Sequence, residues 1–310
     1  MLCLQLMKVL ITGAAGFVGR SCIAAWQSYG WQLFGTSRHS NTSDGCTWLK
    51  CDLLDATQIN EAIDKIKPDA VLHLAAHSSV GESWKQPHLC LSENLQITVN
   101  LLEAVRQTHP SAHLVLSGSA EVYAPSMQNL KEEDATIAGN PYAFSKLQQE
   151  ELAAFYREHF GLKIICTRSF NQIGAGQDTR FVLPSFALQI KRQVQAGADK
   201  LELQVGNIST ERDFTHVLDM AAAYGLLLQA KEAKHSIYNL GSGIATKISE
   251  IIEILQLLAE KPISIIVDPN RVRPNDVPRI VADNSRFVQE FNYVPKLTLH
   301  DAVNDLYNAL

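Results

Sequence analysis

Short apolar, β-branched runs alternate with amphipathic stretches through the first half of the chain. This alternation constrains the fold most, because it is typical of βαβ units built around a parallel sheet. Several runs are almost continuously apolar, as strands buried on both faces should be. The predicted strands are Lys8–Thr12, Gln32–Thr36, Thr47–Cys51, Ala70–Leu74, His113–Ser117 and Lys163–Arg168. The predicted helices are Val18–Tyr29, Ala56–Lys65, Leu91–Thr108 and Ala143–Glu158. The pattern indicates an α/β protein with a doubly wound parallel sheet.

The alternation of apolar runs and amphipathic stretches ends near residue 170, and polar loops separate shorter apolar segments after it. The predicted loops are Asn171–Arg180, Gly206–Asp213 and Asp268–Pro278. We therefore expect two domains: residues 1–170 form the sheet domain, and residues 171–310 form mainly a smaller lobe with some segments returning to the sheet domain. Ligands of doubly wound sheets bind beyond the carboxyl ends of the strands, and we expect the lobe to cover that edge.

Composition excludes several classes of function. The chain is 46% hydrophobic and 19% charged with a net charge of -5, and it lacks a basic run, so we expect no nucleic-acid partner. Its six cysteines form no CxxC pair, and its ten histidines have no metal-binding spacing. No apolar run reaches the ~20 residues needed to cross a bilayer. MLCLQLMKVLITG is better explained by a first strand than by a signal peptide. We therefore expect a cytoplasmic, metal-free protein with no membrane partner.

A glycine turn follows the first predicted strand in TGAAGFVG. Its spacing is GxxGxxG rather than GxGxxG, but in both patterns glycine permits a tight turn and a close approach of the backbone to a pyrophosphate. The following helix offers free N–H groups to that pyrophosphate. A purely structural turn is the alternative reading. The residues expected to bind a dinucleotide here are Gly13, Gly16, Phe17, Val18 and Gly19.

The end of the second strand bears on the choice of cofactor. NAD-binding proteins usually have an acidic residue there for the ribose 2′-hydroxyl, but this strand ends Thr36-Ser37-Arg38. A guanidinium suits a 2′-phosphate. Arg38 therefore favours NADP(H), with NAD(H) possible, and a solvated surface arginine is the alternative reading.

Tyr142 and Lys146 stand four residues apart in PYAFSK, which places both on one face of a helix. A nearby ammonium favours the phenolate, so we expect Lys146 to lower the tyrosine pKa from its ordinary value of about 10. The phenol would then protonate a carbonyl oxygen as hydride arrives at carbon. Ser119, just beyond the apolar run HLVLS, is expected to hold that oxygen. YxxxK alone is common by chance, but its occurrence with Ser119 and the glycine turn indicates a catalytic set.

Longer segments carry a resemblance to a known family. They are TGAAGFVG, CDLLD, VLHLAAHSSVGESW, ENLQITVNLLEA, SGSAEVY, NPYAFSK, RSFNQIGAGQ, VGNISTERDFTHVLD, YNLGSG and RPNDVP. On these motifs the chain resembles the extended short-chain dehydrogenases/reductases over nearly its whole length. RSFNQIGAGQDTRFVLPSFALQI, VGNISTERDFTHVLDMAAAY and RPNDVP are most similar to the branch of GDP-4-keto-6-deoxy-D-mannose reductases and GDP-mannose 4,6-dehydratases. The resemblance implies a Rossmann sheet, a nicotinamide cofactor and a nucleotide-sugar substrate, bound mainly by residues 171–310.

The resemblance also implies roles for further positions. Asp52 and Leu53 would lie by the adenine, and the cofactor path after the fourth strand would be lined by Leu74, Ala75 and Ala76. The implied substrate-binding residues are Ser119, Glu121, Asn171, Val182, Arg212 and Arg273.

Asn171 would hold the diphosphate, and the two arginines would meet the phosphates or the nucleotide ribose. Asp213 and Asp276 are expected to be structural partners of Arg212 and Arg273 rather than catalytic groups.

One triplet separates the possible reactions. Sugar 4,6-dehydratases of this family carry Thr-Asp-Glu or Thr-Ser-Glu, whereas this chain reads Ser119-Ala120-Glu121. The Ala120 methyl cannot protonate a departing hydroxyl, which favours a 4-keto reductase. The expected reaction converts GDP-4-dehydro-6-deoxy-D-mannose to GDP-D-rhamnose, with Glu121 in the catalytic set. A dehydratase, a 4-epimerase and a non-catalytic cofactor sensor remain alternatives. Two predicted helices, Leu91–Thr108 and Ala143–Glu158, are apolar enough to suggest a homodimer.

Overall fold

The structure is a computed structural model, and it describes residues 6–39, 45–230, 232–271 and 277–310. The chain forms two compact units. Unit 1 comprises Met1–Ala124, Ala135–Ser169 and Ala221–Tyr238, and unit 2 comprises Pro125–Asp134, Phe170–Met220 and Asn239–Leu310. Both units are therefore assembled from separate stretches of sequence.

Strands and helices alternate from Lys8 to Ser169. In chain order they are β1 (Lys8–Thr12), α1 (Phe17–Trp26), β2 (Gln32–Ser37), β3 (Thr47–Lys50), α2 (Ala56–Ile66), β4 (Ala70–His73), α3 (Val80–Lys85), α4 (Pro87–Thr108), β5 (His113–Ser117), α5 (Pro141–Phe160) and β6 (Lys163–Ser169). The later elements are β7 (Asn171–Ile173), α6 (Val182–Gln195), β8 (Leu201–Val205), β9 (Glu211–Arg212), β10 (Phe214–His216), α7 (Val217–Gln229), β11 (Ile237–Leu240), β12 (Thr246–Lys247), α8 (Ile248–Ala259), β13 (Ile263–Val267), β14 (Arg279–Ile280), α9 (Ser285–Phe291) and α10 (Leu299–Asn308).

A seven-stranded sheet is the centre of the fold, with strand order β11-β6-β5-β4-β1-β2-β3. Neighbours from β1 to β6 pair in parallel. The chain order reverses between β1 and β4, which is the switch point of a doubly wound sheet. The predicted Rossmann-type α/β class is confirmed. The glycine turn after β1 and residues 74–76 after β4 both follow strands at this switch point.

Helix α2 begins at Ala56 as predicted, but three predicted helices begin earlier in the structure than the apolar spacing indicated. Helix α1 begins at Phe17 rather than Val18, α4 at Pro87 rather than Leu91, and α5 at Pro141 rather than Ala143. Proline is favoured at the first helical position because its missing N–H would have had no helical partner there. Among the described residues, none of the helices combines the length and the apolar character needed to cross a membrane.

Unit 2 has its own apolar core beneath small sheets. β8 pairs with β13 in parallel, and α6, α8 and α10 supply core residues, Ile190, Ile251 and Leu306 among them. Two segments predicted to be polar loops contain short strands: β7 pairs with β10, and β9 pairs with both β12 and β14. Strands of two or three residues are too short to leave an alternating pattern in the sequence.

Candidate active site

The glycine turn is closely packed at the end of β1. Gly13 has a φ of 70°, and a Cβ on it would lie 2.7 Å from the amide nitrogen of Ala75. A Cβ on Gly19 would lie 2.6 Å from the Cα of Ala14. Both positions therefore require glycine. Gly16 precedes the first helical residue without a side-chain cap, so the first N–H groups of α1 have no capping side chain.

This turn fits a dinucleotide. A Cβ at Gly13 or Gly19 would clash with the backbone of Ala75 or Ala14, so only glycine allows this tight turn, and uncapped helix N–H groups favour a pyrophosphate. Phe17 and Val18 begin α1 and are half-buried. Leu74, Ala75 and Ala76 follow β4 and are also half-buried, and the structure brings the turn and the Leu74–Ala75 segment together.

The other predicted cofactor residues lie beyond β2 and β3. Arg38 is exposed directly after β2. The Asp52 carboxylate accepts the N–H of Leu54 at 3.1 Å, so Asp52 shapes its own turn. Leu53 is buried in the core of unit 1. Burial in that core accounts for Leu53 without a ligand.

Ser119, Tyr142 and Lys146 lie together in unit 1, and all three are buried. The Ser119 hydroxyl lies near the Tyr142 phenol and opposes the rise in its pKa that burial causes. The ammonium of Lys146 donates to the carbonyl oxygen of Ser117 at 2.6 Å and to Oε1 of Gln149 at 3.1 Å. The end of β5 and the first turns of α5 therefore hold the three groups.

The expected effect of Lys146 on Tyr142 is wrong for this structure. Burial raises the pKa of Tyr142, and the Glu121 carboxylate raises it further, while the hydrogen bond to Ser119 opposes the change. Burial also lowers the pKa of Lys146 to about 8. Lys146 is not among the groups that shift the pKa of Tyr142, and its ammonium donates instead to Ser117 and Gln149. The phenol is protonated at neutral pH, and because its raised pKa makes it a weaker acid, proton donation depends on stabilisation of the phenolate that forms.

Three further polar residues support this arrangement and were missed in the sequence. Gln149 donates to the same Ser117 oxygen at 3.2 Å. Asn94 on α4 donates to Oγ of Ser145 at 2.9 Å, and that hydroxyl donates to the Tyr142 carbonyl at 2.8 Å. Gln149 stands three residues after Lys146, so its place on the same helix face was a usable signal. Asn94 is distant in sequence and gave none.

The Glu121 side chain is hydrogen-bonded to Asn140, the residue that precedes helix α5. Its Oε2 accepts the side-chain N–H of Asn140 at 3.0 Å, and its own backbone N–H donates to Oγ of Ser119 at 3.2 Å. Asn140 also caps α5, because its Oδ1 accepts the N–H of Ala143 at 2.8 Å. The predicted catalytic residues Ser119, Glu121 and Tyr142 are thus linked through one amide side chain and one turn.

The predicted substrate residues belong to unit 2. Asn171 donates its backbone N–H and its side-chain amide to the carbonyl oxygen of Asp213, at 3.1 and 3.3 Å. Arg212 is half-buried, and its guanidinium donates to the Glu211 carbonyl at 2.9 Å. Asn171 and the Arg212–Asp213 segment therefore lie together. Val182 begins α6 and is 47% exposed. Arg273 and Asp276 lie outside the described residues.

Asp213 has partners other than the expected arginine. Its Oδ1 accepts the N–H and hydroxyl of Ser242, and its Oδ2 accepts the N–H groups of Gly243 and Ala282. Burial raises the pKa of this carboxyl, and the same hydrogen bonds oppose that change. The expectation that Asp213 is structural fits these contacts, but it orders backbone loops and does not form an ion pair with Arg212.

Known proteins resemble this chain over almost its full length. The family model described as GDP-mannose 4,6 dehydratase matches residues 10–306. GDP-6-deoxy-D-mannose reductase from Pseudomonas aeruginosa is 33% identical over 299 residues, covering 96% of this chain and 94% of that protein.

Two solved structures have the same fold. RMD from Pseudomonas aeruginosa complexed with NADPH superimposes with a TM-score of 0.85 at 31% identity, covering 98% of this chain and 97% of its own. The second structure is UDP-glucose-4-epimerase from Stenotrophomonas maltophila with bound NAD and formylated UDP-arabinopyranose. It superimposes with a TM-score of 0.86 at 28% identity, with the same coverage of both chains. The chain belongs to the GDP-mannose 4,6-dehydratase family, among the extended short-chain dehydrogenases/reductases.

Proposed function

We propose that the protein is a cytoplasmic NADPH-dependent reductase that converts the C4 keto group of GDP-4-dehydro-6-deoxy-D-mannose to the alcohol of GDP-D-rhamnose. The observation that carries this proposal is the grouping of the buried Ser119, Tyr142 and Lys146 side chains at the end of β5 and the start of α5. A reductase needs a protonated donor at the carbonyl oxygen, and burial keeps the Tyr142 phenol protonated. The similarity to GDP-6-deoxy-D-mannose reductase supports the choice of sugar.

A bound nicotinamide supplies the hydride for C4 in this proposal. Tyr142 gives its proton to the developing alkoxide oxygen, leaving a phenolate. Ser119 donates a hydrogen bond to the same oxygen and orients it. Lys146 holds the nicotinamide ribose, and its ammonium stabilises the phenolate once it forms. The dinucleotide is held by Gly13, Gly16, Phe17, Val18, Gly19, Leu74, Ala75 and Ala76.

Arg38 supports NADP(H) over NAD(H). It is exposed directly after β2, where no acidic residue stands at positions 36–38. A guanidinium gains charge-assisted hydrogen bonds from a 2′-phosphate that NAD(H) lacks. We expect Arg38→Ala to raise KM for NADPH about tenfold while leaving KM for NADH unchanged. Equal effects on both cofactors would contradict this assignment.

Unit 2 supplies the nucleotide-sugar-binding residues in this proposal. Asn171 holds the diphosphate, Arg212 and Arg273 bind its phosphates or the nucleotide ribose, and Val182 contacts the substrate. We also propose a homodimer through α4 and α5, because Phe144 and Phe155 of α5 are 47% and 50% exposed.

The reaction is tested with purified protein, GDP-4-dehydro-6-deoxy-D-mannose and either NADPH or NADH. We expect loss of nicotinamide absorbance matched by formation of GDP-D-rhamnose. A parallel incubation contains GDP-mannose instead of the keto sugar and tests the dehydratase directly. Unchanged absorbance with the keto sugar, together with dehydration of GDP-mannose in the parallel incubation, would reject the reductase.

A dehydratase and a 4-epimerase are the competing activities. Glu121 keeps the dehydratase open, although its carboxylate is already hydrogen-bonded to the Asn140 amide. Ala120 offers no proton to a leaving hydroxyl. Similarity to UDP-glucose 4-epimerases supports the second alternative. A nicotinamide retained by the protein through purification, with turnover that needs none added, would favour the epimerase.

A further inference from the structure

Asn140 connects two parts of the catalytic region that are separate in sequence. Its Oδ1 accepts the N–H of Ala143 at 2.8 Å, and this bond caps the N-terminus of helix α5. Its Nδ2 donates to Oε2 of Glu121 at 3.0 Å. The two contacts need opposite ends of the amide, because a backbone N–H requires an acceptor and a carboxylate requires a donor.

Asn140 is connected to the proton donor Tyr142 both through the turn at Ser119 and through the helix that it caps. Glu121 donates its backbone N–H to Oγ of Ser119, and the Ser119 hydroxyl lies near the Tyr142 phenol. Tyr142 stands two residues after Asn140, in the first turn of the helix that Asn140 caps. A movement of the amide would therefore displace both the serine turn and the tyrosine.

The groups facing Tyr142 make the placement of Glu121 important. They are the Glu121 carboxylate, the Tyr224 phenol and the Cys90 thiol, with Lys146 one turn further along α5. Glu121 is the acid among them, so its distance from the phenol affects how readily Tyr142 releases a proton. Asn140 is the residue that holds this carboxylate by a side-chain bond.

We propose that Asn140 is a positioning residue, which fixes the Glu121 carboxylate beside the Ser119–Tyr142 pair and sets the geometry of proton donation. This inference rests on the proposed reductase for the assay that reads it. Helix capping alone would make Asp or Ser equivalent to Asn here, since all three are good N-caps. The inference requires the amide N–H as well.

The test is Asn140→Asp, which keeps the cap but replaces the donor with a second carboxylate facing Glu121. Two adjacent carboxylates share a proton, and the pKa of one rises above the ordinary glutamate value of about 4.3. At acidic pH the shared proton restores the bond. As pH rises through the raised pKa, the pair repels and turnover falls. We expect kcat to be reduced about tenfold at pH 7, with a new descending limb in its pH profile that the wild type lacks.

A double variant exchanges the donor and the acceptor of the hydrogen bond between residues 140 and 121. Asn140→Asp combined with Glu121→Gln has the wild-type charge, and the glutamine amide now donates to the aspartate. We expect the new limb to disappear because the pair again holds one charge, while kcat stays below the wild-type value because the carboxylate has moved from position 121 to position 140. The matched control is Asn308→Asp, because the Asn308 amide donates to Oδ1 of Asn304 at 3.0 Å on the exposed end of α10. That variant should keep the wild-type profile.

Asn140→Ser covers the case in which the charged variant does not fold. It retains the cap without a second charge, and we expect a several-fold lower kcat with no new limb. Wild-type kcat and an unchanged pH profile in both Asn140→Asp and Asn140→Ser would overturn the inference, as would a double variant that keeps the new descending limb.

A separate readout distinguishes failure of the reductase from failure of this inference. If the wild-type protein does not oxidise NADPH with the keto sugar, the proposed reaction is rejected. The bond is then measured by urea unfolding of Asn140→Ser, Glu121→Gln and their double variant. Non-additive effects on unfolding would support the bond, and additive effects would overturn it.

Discussion

The two units use buried charge in opposite ways. In unit 1, the ammonium of Lys146 is held by the Ser117 carbonyl and Gln149 near the proposed proton donor. In unit 2, Asp213 accepts four hydrogen bonds from Ser242, Gly243 and Ala282, three of them from backbone N–H groups. One buried charge is placed for chemistry, and the other orders loops.

A second carboxylate of unit 2 behaves like the first. Asp219 accepts the Tyr293 hydroxyl at 2.7 Å and the N–H groups of Lys296 and Leu297 at 3.0 and 2.8 Å. Burial opposes the charged form at both sites, because it raises the pKa of Asp213 and lowers that of Lys146 to about 8. The comparison teaches that burial of a charge does not by itself indicate chemistry, and that the partners of the group separate a loop-ordering carboxylate from an ammonium in a proposed catalytic set.

The largest expected effect is on turnover. Tyr142→Phe removes the proton donor and should reduce kcat about 10²–10⁴-fold, because no other group then protonates the alkoxide. The matched control is Tyr156→Phe on the same helix, whose hydroxyl donates to Oε1 of Glu103 at 2.6 Å. That variant should keep its kcat. Steady-state NADPH oxidation measures both, and equal kcat values would remove Tyr142 from the mechanism.

Loss of a buried carboxylate in unit 2 should mainly affect folding. Asp213→Asn turns an amide toward backbone N–H donors, and we expect the free energy of unfolding to fall by about 3 kcal/mol. Urea unfolding measures the change. Asp178→Asn is the control, because that carboxylate is 54% exposed, and it should change stability little. A loss below about 1 kcal/mol for Asp213→Asn would contradict the loop-ordering role.

Replacement of Lys146 should increase stability at neutral pH, whereas replacement of Asp213 should decrease it. Its pKa is about 8 in the folded protein against 10.5 as the ordinary value, so the unfolded chain binds more protons between these limits. Wild-type stability should therefore rise from pH 8 to pH 10.5, by at most about 1.4 kcal/mol per pH unit from this group.

Lys146→Met should remove that rise, should be more stable than the wild type at pH 7, and should lose turnover. Urea unfolding across pH measures the slope. The exposed Lys65→Met should keep the rise, and a Lys146→Met protein that is no more stable at pH 7 would break the comparison.

The smallest expected effect concerns an exposed carboxylate of unit 1. Asp55 caps α2 by accepting the N–H groups of Thr57 and Gln58 at 2.9 and 3.3 Å. Asp55→Ala should cost about 1 kcal/mol of unfolding free energy, clearly less than the loss at Asp213, because water can hydrate the freed N–H groups. Thermal unfolding checks this, and equal losses at the two positions would show that burial is not the difference.

Local patterns in the sequence predicted much of unit 1. The strand–glycine turn–helix order indicated the dinucleotide turn, and the spacing of Tyr142 and Lys146 placed them on one helix face. Ser119 followed from its place after an apolar strand. These features involve residues close in sequence, so periodicity and spacing are sufficient to find them.

The remaining features depend on residues far apart in the chain. Asp213 bonds Ser242 and Ala282, which are 29 and 69 residues away, and no local pattern signals such pairs. Asn140 and Glu121 are separated by 19 residues. The direction of the Tyr142 pKa shift also required the structure, because burial is its largest cause and the extent of burial cannot be read from residue spacing.

The central claim is that hydride is delivered to C4 of the keto sugar while Tyr142 protonates its oxygen. The most direct measurement uses NADPH deuterated at the transferable position of the nicotinamide, with the keto sugar as substrate. We expect one deuterium at C4 of the product sugar, and Tyr142→Phe should show almost no transfer. A nucleotide sugar that is changed without deuterium at C4, with the labelled NADPH left intact, would contradict the account.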